Sequence, residues 1–139
     1  MATAGTAAAS AAVVLIGDLA RSSGSGHVDE AVGEWLPVAL SHEISEGQVR
    51  AFDVGSLAGF VRRTNGQLGA VSGVCTHQGC RLALASSPVE RLVCPCHGAQ
   101  FAVDGRPVVC PRTCQRLLPL ASLTVRERAG AIEVLMATS

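Results

Sequence analysis

Apolar and polar positions alternate along most of the chain in short runs, interrupted every few residues by Gly, Pro, Asn or Ser. Trp35-Leu36-Pro37-Val38-Ala39 opens the pattern, with Trp35, the single Trp, as a packing anchor. The runs Val49 to Val54 and Leu57 to Arg63, separated by Gly55-Ser56, predict a β-hairpin. Asn65-Gly66 is the strongest hairpin signal in the chain, and Gln67 to Ser72 follow it as a further strand. The polar interval Ser41 to Gln48 reads as a turn that carries His42 at the surface. Farther on, Arg81 to Ala85 and Arg91 to Cys94 flank a turn at Ser86-Ser87-Pro88. Gln100 to Val103 and Arg106 to Val109 flank Asp104-Gly105, and Leu123 to Arg128 pair with Ala131 to Leu135 around Ala129-Gly130. Sustained helical periodicity is missing outside the N-terminal run, so the pattern argues for an all-β fold.

The pattern divides the chain into three parts. Residues 1–20 are apolar and Ala-rich, with Ala11-Ala12-Val13-Val14-Leu15-Ile16 at their centre and no charge before Asp18. A spanning helix needs about 20 apolar residues, and a signal peptide needs a basic start that is missing here. Two readings stay open: the outer part of a membrane anchor that begins upstream, or an Ala-rich tail. Residues 21–34 are polar and rich in Gly and Ser, the composition of a flexible linker, and His27 within them is given no role. Residues 35–137 form the folded domain.

Composition adds limits. The 139 residues carry no net charge and only 3% aromatics, which gives no nucleic-acid-binding surface. Acids gather at the start, where Asp18, Asp29, Glu30 and Glu34 face Arg21 alone. Arg81, Arg91, Arg106, Arg112 and Arg116 fall in or after the cysteine-rich region, against Glu90 and Asp104. They suit either a solvated surface or the steering of an acidic electron partner.

That cysteine-rich region holds the chemistry. Cys75-Thr76-His77-Gln78-Gly79-Cys80 is answered by Cys94-Pro95-Cys96-His97-Gly98, so each arm offers one Cys and one His at short spacing. Structural zinc accepts two Cys and two His, but usually pairs Cys with Cys and His with His, whereas each arm here mixes the two. Cys-x-His joined to Cys-x-x-His is instead the ligand set of a 2Fe–2S centre in which imidazoles replace two thiolates on one iron. With Cys75, Cys94, His77 and His97 as ligands, the oxidised centre is formally neutral, because neutral imidazoles add no charge. Four thiolates would leave it more negative and resist the incoming electron. This is why such centres span about −150 to +300 mV, against about −400 mV for plant-type ferredoxins.

The two arms and their flanks resemble the Rieske iron–sulfur proteins. The resemblance is specific in the arms and looser over the rest of the domain. It implies an antiparallel Rieske-type β-sandwich with a small inserted cluster-binding subdomain, a 2Fe–2S cofactor, and one-electron transfer with an entry point at the edge of His77 and His97. In the disulfide-containing members, found in cytochrome bc and bf complexes, cysteines at the positions of Cys80 and Cys96 are bonded. The resemblance therefore implies a Cys80–Cys96 bond and an extracytoplasmic, membrane-associated setting. It also implies that the stretch Cys110-Pro111-Arg112-Thr113-Cys114 covers the cluster, with Cys110 and Cys114 either bonded or present as thiols.

The chain departs from the respiratory members at several places beside Gly98. Ala99 and Phe101 stand where those members commonly have Ser and Tyr, whose hydroxyls stabilise the reduced state, so a lower potential is expected. Gln78 stands where quinol-oxidising relatives often have Leu, which weakens the case for a quinol pocket. The leading expectation is the electron-transfer head of an extracytoplasmic chain, with a redox protein or quinol as partner. A Rieske ferredoxin that feeds an oxygenase or reductase is the alternative, and a redox-sensing or structural domain is another. No carboxylate–histidine set for a mononuclear iron accompanies the motif, so substrate oxygenation is not expected of this sequence.

Overall fold

The computed structural model describes residues 32–138. The apolar segment predicted at 1–20, and the predicted linker up to residue 31, lie outside the described residues. The first strand, β1, runs Gly33–Leu40, so the folded part begins two residues ahead of Trp35. A short 3₁₀ turn at Ser41–Glu43 leads to β2 (Val49–Val54), β3 (Leu57–Thr64) and β4 (Gln67–Ser72). Then come β5 (Ala83–Ala85), β6 (Arg91–Val93), β7 (Gln100–Phe101) and β8 (Pro107–Val109). The last strands are β9 (Ser122–Leu123), β10 (Val125–Arg128) and β11 (Ala131–Ala137). No helix among the described residues is long and apolar enough to cross a membrane.

The strands build three antiparallel sheets in the orders β1-β11-β10, β2-β3-β4-β9 and β5-β6-β7-β8. The middle sheet is covered on both faces. Phe52, Val61 and Ala70 point to one side, where Ile132 and Val134 of β11 and Ile44 complete a core. Phe60 and Val71, one residue out of step, point to the other side and join Cys75, Leu92, Cys94, Ala99 and Phe101. The register explains this division: Val61 lies opposite Ala70 and Phe60 opposite Val71, and paired residues share a face. A strand buried on both faces has no reason to alternate, which accounts for the unbroken run Leu57-Ala58-Gly59-Phe60-Val61. Gly59 sits under the ring of Phe52. A Cβ there would lie 2.7 Å from Phe52 Cζ and 2.5 Å from the carbonyl oxygen of Val71.

Local chemistry fixes the turns. Asn65 and Gly66 both take positive φ, and the carboxylate of Glu46 accepts hydrogen bonds from both of their amides. The stretch Leu123 to Arg128, expected as one strand, is two. β9 pairs with β4 in the middle sheet, while β10 pairs with β11 in the outer one, and the chain passes between them at Thr124. A simple alternating pattern cannot reveal such a change of sheet, because both halves alternate alike. Trp35 is only half-buried and lies beneath the guanidinium of Arg126, 3.9 Å from its ring centroid, so it is a surface stack rather than a core anchor.

Arg63 ties the two outer-core sheets together. Its Nε donates to the Ile44 carbonyl at 2.8 Å, and both terminal nitrogens donate to the Glu127 carboxylate at 3.2 Å. These bonds from Arg63 hold the Glu127 carboxyl below the usual carboxylate value. Its folded-state value is depressed, so the stabilisation is present above the ordinary carboxylate range and is lost as pH falls through the lowered value. Unfolding titrations between pH 6 and acid, taken as about the range over which carboxylates respond, are expected to show a shallower acid loss of stability in Glu127→Gln than in the wild type. In the core, Ile132 is fully buried. Ile132→Ala is expected to lower the unfolding free energy by about 2–5 kcal/mol and Ile132→Val by about 0.5–1.5 kcal/mol, measured by urea denaturation.

Candidate metal centre

The first cysteine-histidine arm leads from the middle sheet to the third, and the second lies within the third sheet. The first leaves β4, and a bridge between Val74 and Arg81 closes its base before β5. The second joins β6 to β7. The arms share one main-chain design. The Cys75 amide donates to the Cys80 carbonyl at 2.8 Å, and the Gly79 amide donates back to the Cys75 carbonyl at 2.9 Å. In the second arm, the Cys94 amide donates to the Ala99 carbonyl at 2.8 Å and the Gly98 amide to the Cys94 carbonyl at 3.0 Å. Gly79 and Gly98, each four residues after its cysteine, have φ of 77° and 79°. No neighbouring atom crowds either one, so the left-handed backbone, not a lack of space, asks for glycine. In the sequence Gly79 stands within the first arm without a role of its own. The signal that reveals it is the same offset from cysteine in both arms.

This design buries both cysteines and leaves the histidines farther out. Cys75 and Cys94 are free thiols, each only 2% exposed. His77 is half-buried and His97 exposed. Their rings meet edge to face, with centroids 5.1 Å apart and planes at 87°. Burial pushes the Cys75 thiol up, helped by the neighbouring Cys94, while hydrogen bonds from the His77 and Gln78 amides oppose the shift. Two buried thiols side by side ionise together only if positive charge is brought between them, which a ferric ion supplies. Nδ1 of His77 is buried with no hydrogen-bond partner among the described residues. A buried imidazole nitrogen two residues from a buried cysteine, with no protein group to receive it, suits a metal ligand.

Cys80 and Cys96 are bonded, with an S–S length of 2.05 Å, and so join the end of the first arm to the second. The sulfur atoms of Cys80, Cys94 and Cys96 all lie within 4.8 Å of one another. Two of those three sulfurs are consumed by the disulfide, so this trio is not itself a ligand set. Cys110 and Cys114 are also bonded, which decides between the two states left open for them.

The remaining predicted residues fall around this centre. Ala99 and Phe101 are fully buried in the core that holds both thiols, so neither position brings a hydroxyl to it. Gln78 and Gly98 are exposed on the arms. Pro111 is buried, Cys114 packs against the same core, and Leu117 is one of its members, which seats residues 110–118 as a strap on this end of the molecule. The hydroxyl of Thr76 donates to the Leu118 carbonyl at 2.6 Å and pins the strap to the first arm. Thr76 was not singled out in the sequence, since a lone hydroxyl between Cys and His gives no sign of a partner far along the chain. The five arginines do not act as one group. Arg81 pairs with Asp53, Arg106 with Asp104, and Arg91 donates to the Glu90 carbonyl.

Known proteins share this arrangement. The chain is 31% identical over 102 residues to the cytochrome b6-f complex iron-sulfur subunit of Chlorobaculum tepidum, covering 73% of this chain and 54% of that protein. It is 29% identical over 99 residues to the chloroplastic chlorophyllide a oxygenase of Oryza sativa subsp. japonica, covering 70% of this chain and 18% of that protein. The chain thus spans about half the length of the first relative and less than a fifth of the second. Among solved structures, a quaternary ammonium Rieske monooxygenase in complex with an inhibitor superimposes with a TM-score of 0.59 at 25% identity, over 78% of this chain and 33% of that one. The family described as Rieske 2Fe-2S domain matches residues 34–124, which hold both arms, the strap, the middle and third sheets and β1 of the outer sheet. The site is consistent with a Rieske-type 2Fe–2S cluster, and relatives of the bc/bf kind and of the oxygenase kind both resemble it. With the antiparallel three-sheet fold, the paired arms and this match over most of the described residues, the chain belongs to the Rieske iron–sulfur family.

Proposed function

We propose that this protein carries single electrons to or from a partner protein, in the manner of a Rieske ferredoxin serving an oxygenase or reductase. The observation that carries the reading is the buried, unpartnered Nδ1 of His77 on an arm whose buried thiol neighbours that of the other arm, with the rings of His77 and His97 edge to face. In this reading Cys75 and Cys94 hold one iron and His77 and His97 the other. The cluster, when bound, takes up and releases one electron. The protein's own groups set the conditions for that exchange. The amides of His77 and Gln78 donate to the Cys75 sulfur and favour its charged form. The apolar residues Phe60, Leu92 and Phe101 beneath the thiols keep water from one side, while exposed His97 gives a partner access from the other.

Similarity supports an oxygenase-related role for this electron transfer, since chlorophyllide a oxygenase and a quaternary ammonium monooxygenase contain comparable domains. A second reading keeps the expectation of an extracytoplasmic membrane chain. It is favoured by the Cys80–Cys96 disulfide, which a reducing compartment would not maintain, and by the b6-f relative. Exposed, polar Gln78 at the tip counts against a quinol as direct partner.

Two outcomes test the site. The dithionite-reduced protein is expected to give a rhombic EPR signal with an average g typical of mixed His/Cys ligation, absent in His77→Ala and His97→Ala. A colourless zinc protein after anaerobic preparation would sink the assignment. Ala99→Ser and Phe101→Tyr are each expected to raise the midpoint potential in a potentiometric titration. The rise is on the order of 60 mV for a hydrogen bond that favours the reduced form tenfold. Unchanged potentials in both variants would mean that the two positions do not tune the centre.

A further inference from the structure

The strap at 110–118 differs from the rest of this end of the molecule in its charge. No acidic residue occurs between Val54 and Val89, and Asp104 is the single one between Arg91 and Arg126. Asp104 is engaged by Arg106, whose amide it also accepts. Both cluster arms are themselves uncharged apart from their histidines. Arg112 and Arg116 are exposed and meet no carboxylate among the described residues. Elsewhere five arginines are paired with carboxylates, and Arg62 and Arg91 donate to main-chain carbonyls, whereas Arg112 and Arg116 lie four residues apart on one short strap with neither kind of partner among the described residues.

The strap is also held in place, which a docking element requires if it is not to lose affinity to ordering. The Cys110–Cys114 bond closes the turn that carries Arg112, and within it the Cys114 amide donates to the Pro111 carbonyl at 3.0 Å. Pro111 is buried, Leu117 belongs to the core beneath the thiols with Cys114 packed against it, and Thr76 fastens Leu118 to the first arm. The Leu118 side chain is 53% exposed beside these cations. An exposed apolar side chain and two unpaired arginines carried on one anchored strap, pinned to the first histidine arm, have the form of a small interface for an anionic surface.

We infer that the strap is the docking element for the electron partner, and that this partner is a protein presenting a carboxylate-rich face. The inference rests on the electron-transfer reading above and names the partner class for the same site. Arg112 and Arg116 raise the encounter rate of negatively charged partners, and Leu118 supplies the contact once they meet.

The test uses the EPR-verified reduced holoprotein and two one-electron oxidants of similar strength and opposite charge, ferricyanide and tris(phenanthroline)cobalt(III). In each case the reduced centre gives up one electron, ferricyanide becoming ferrocyanide and cobalt(III) becoming cobalt(II). Stopped-flow rates with ferricyanide are expected to fall as salt is added, and those with the cobalt complex to rise. Arg112→Glu/Arg116→Glu should slow ferricyanide by about tenfold at low salt and reverse both salt slopes. Arg50→Glu/Arg128→Glu, an equal change of charge on the other sheets, should leave both rates within about twofold. If the first variant lacks the EPR signal, Arg112→Gln/Arg116→Gln takes its place and should flatten both slopes. Equal effects of the two charge-matched pairs, or salt slopes unmoved by the strap variants, would overturn the inference. So would arginine-dependent binding to phosphatidylglycerol vesicles that blocks the ferricyanide reaction, because it would assign the cations to a lipid surface. A wild-type protein without the EPR signal would refute the electron-transfer reading itself, a result distinct from any of these.

Discussion

The cluster end of this protein depends on a pair of hydrogen bonds made twice. In each arm the cysteine amide reaches forward to a carbonyl five residues on, and a left-handed glycine reaches back to the cysteine carbonyl. These bonds satisfy the backbone where it dips into the apolar core, and without them the thiols could not be buried at acceptable cost. They also fix where each histidine leaves its arm. His77 is two residues after its cysteine and His97 three after its own, so similar arms present their rings in different orientations. The two rings meet nearly at right angles.

Beneath the arms, the middle sheet joins site and scaffold. Its strands send alternate residues to opposite cores, so Phe60 and Val71 support the thiols while Val61 and Ala70, their immediate neighbours, support the outer sheet. A closely packed interior transmits changes of volume, and adjacent positions on one strand serve both cores. The domain is therefore mechanically continuous from β11 to the arms, although its sheets are separately hydrogen-bonded.

Much of this was legible in the sequence. The strand boundaries around Gly55-Ser56 and Asn65-Gly66 follow from turn chemistry that is local by nature, and the mixed Cys/His spacing identifies the chemistry of the site because few other centres use it. What the sequence hid was non-local. The change of sheet at Thr124 leaves no mark on the alternation of Leu123 to Arg128. The stacking of Arg126 on Trp35 moves that ring out of the core, and no propensity foretells it. The arginines show the same limit: five look alike along the chain, and only the fold reveals that Arg81 and Arg106 have partners in Asp53 and Asp104. The expectation of a membrane complex rests on the cysteine pair, the apolar N-terminal segment and the linker after it, while the overall likeness extends to oxygenase-type domains as well.

The closeness of three sulfurs bears on metal selection. Reduced, Cys80, Cys94 and Cys96 would offer three neighbouring thiols, a soft site able to capture zinc or copper(I). Oxidation of Cys80 and Cys96 removes that trap and leaves Cys94 to pair with Cys75. The bond that ties the arms together therefore also keeps the buried thiol of Cys94 out of a competing three-sulfur site.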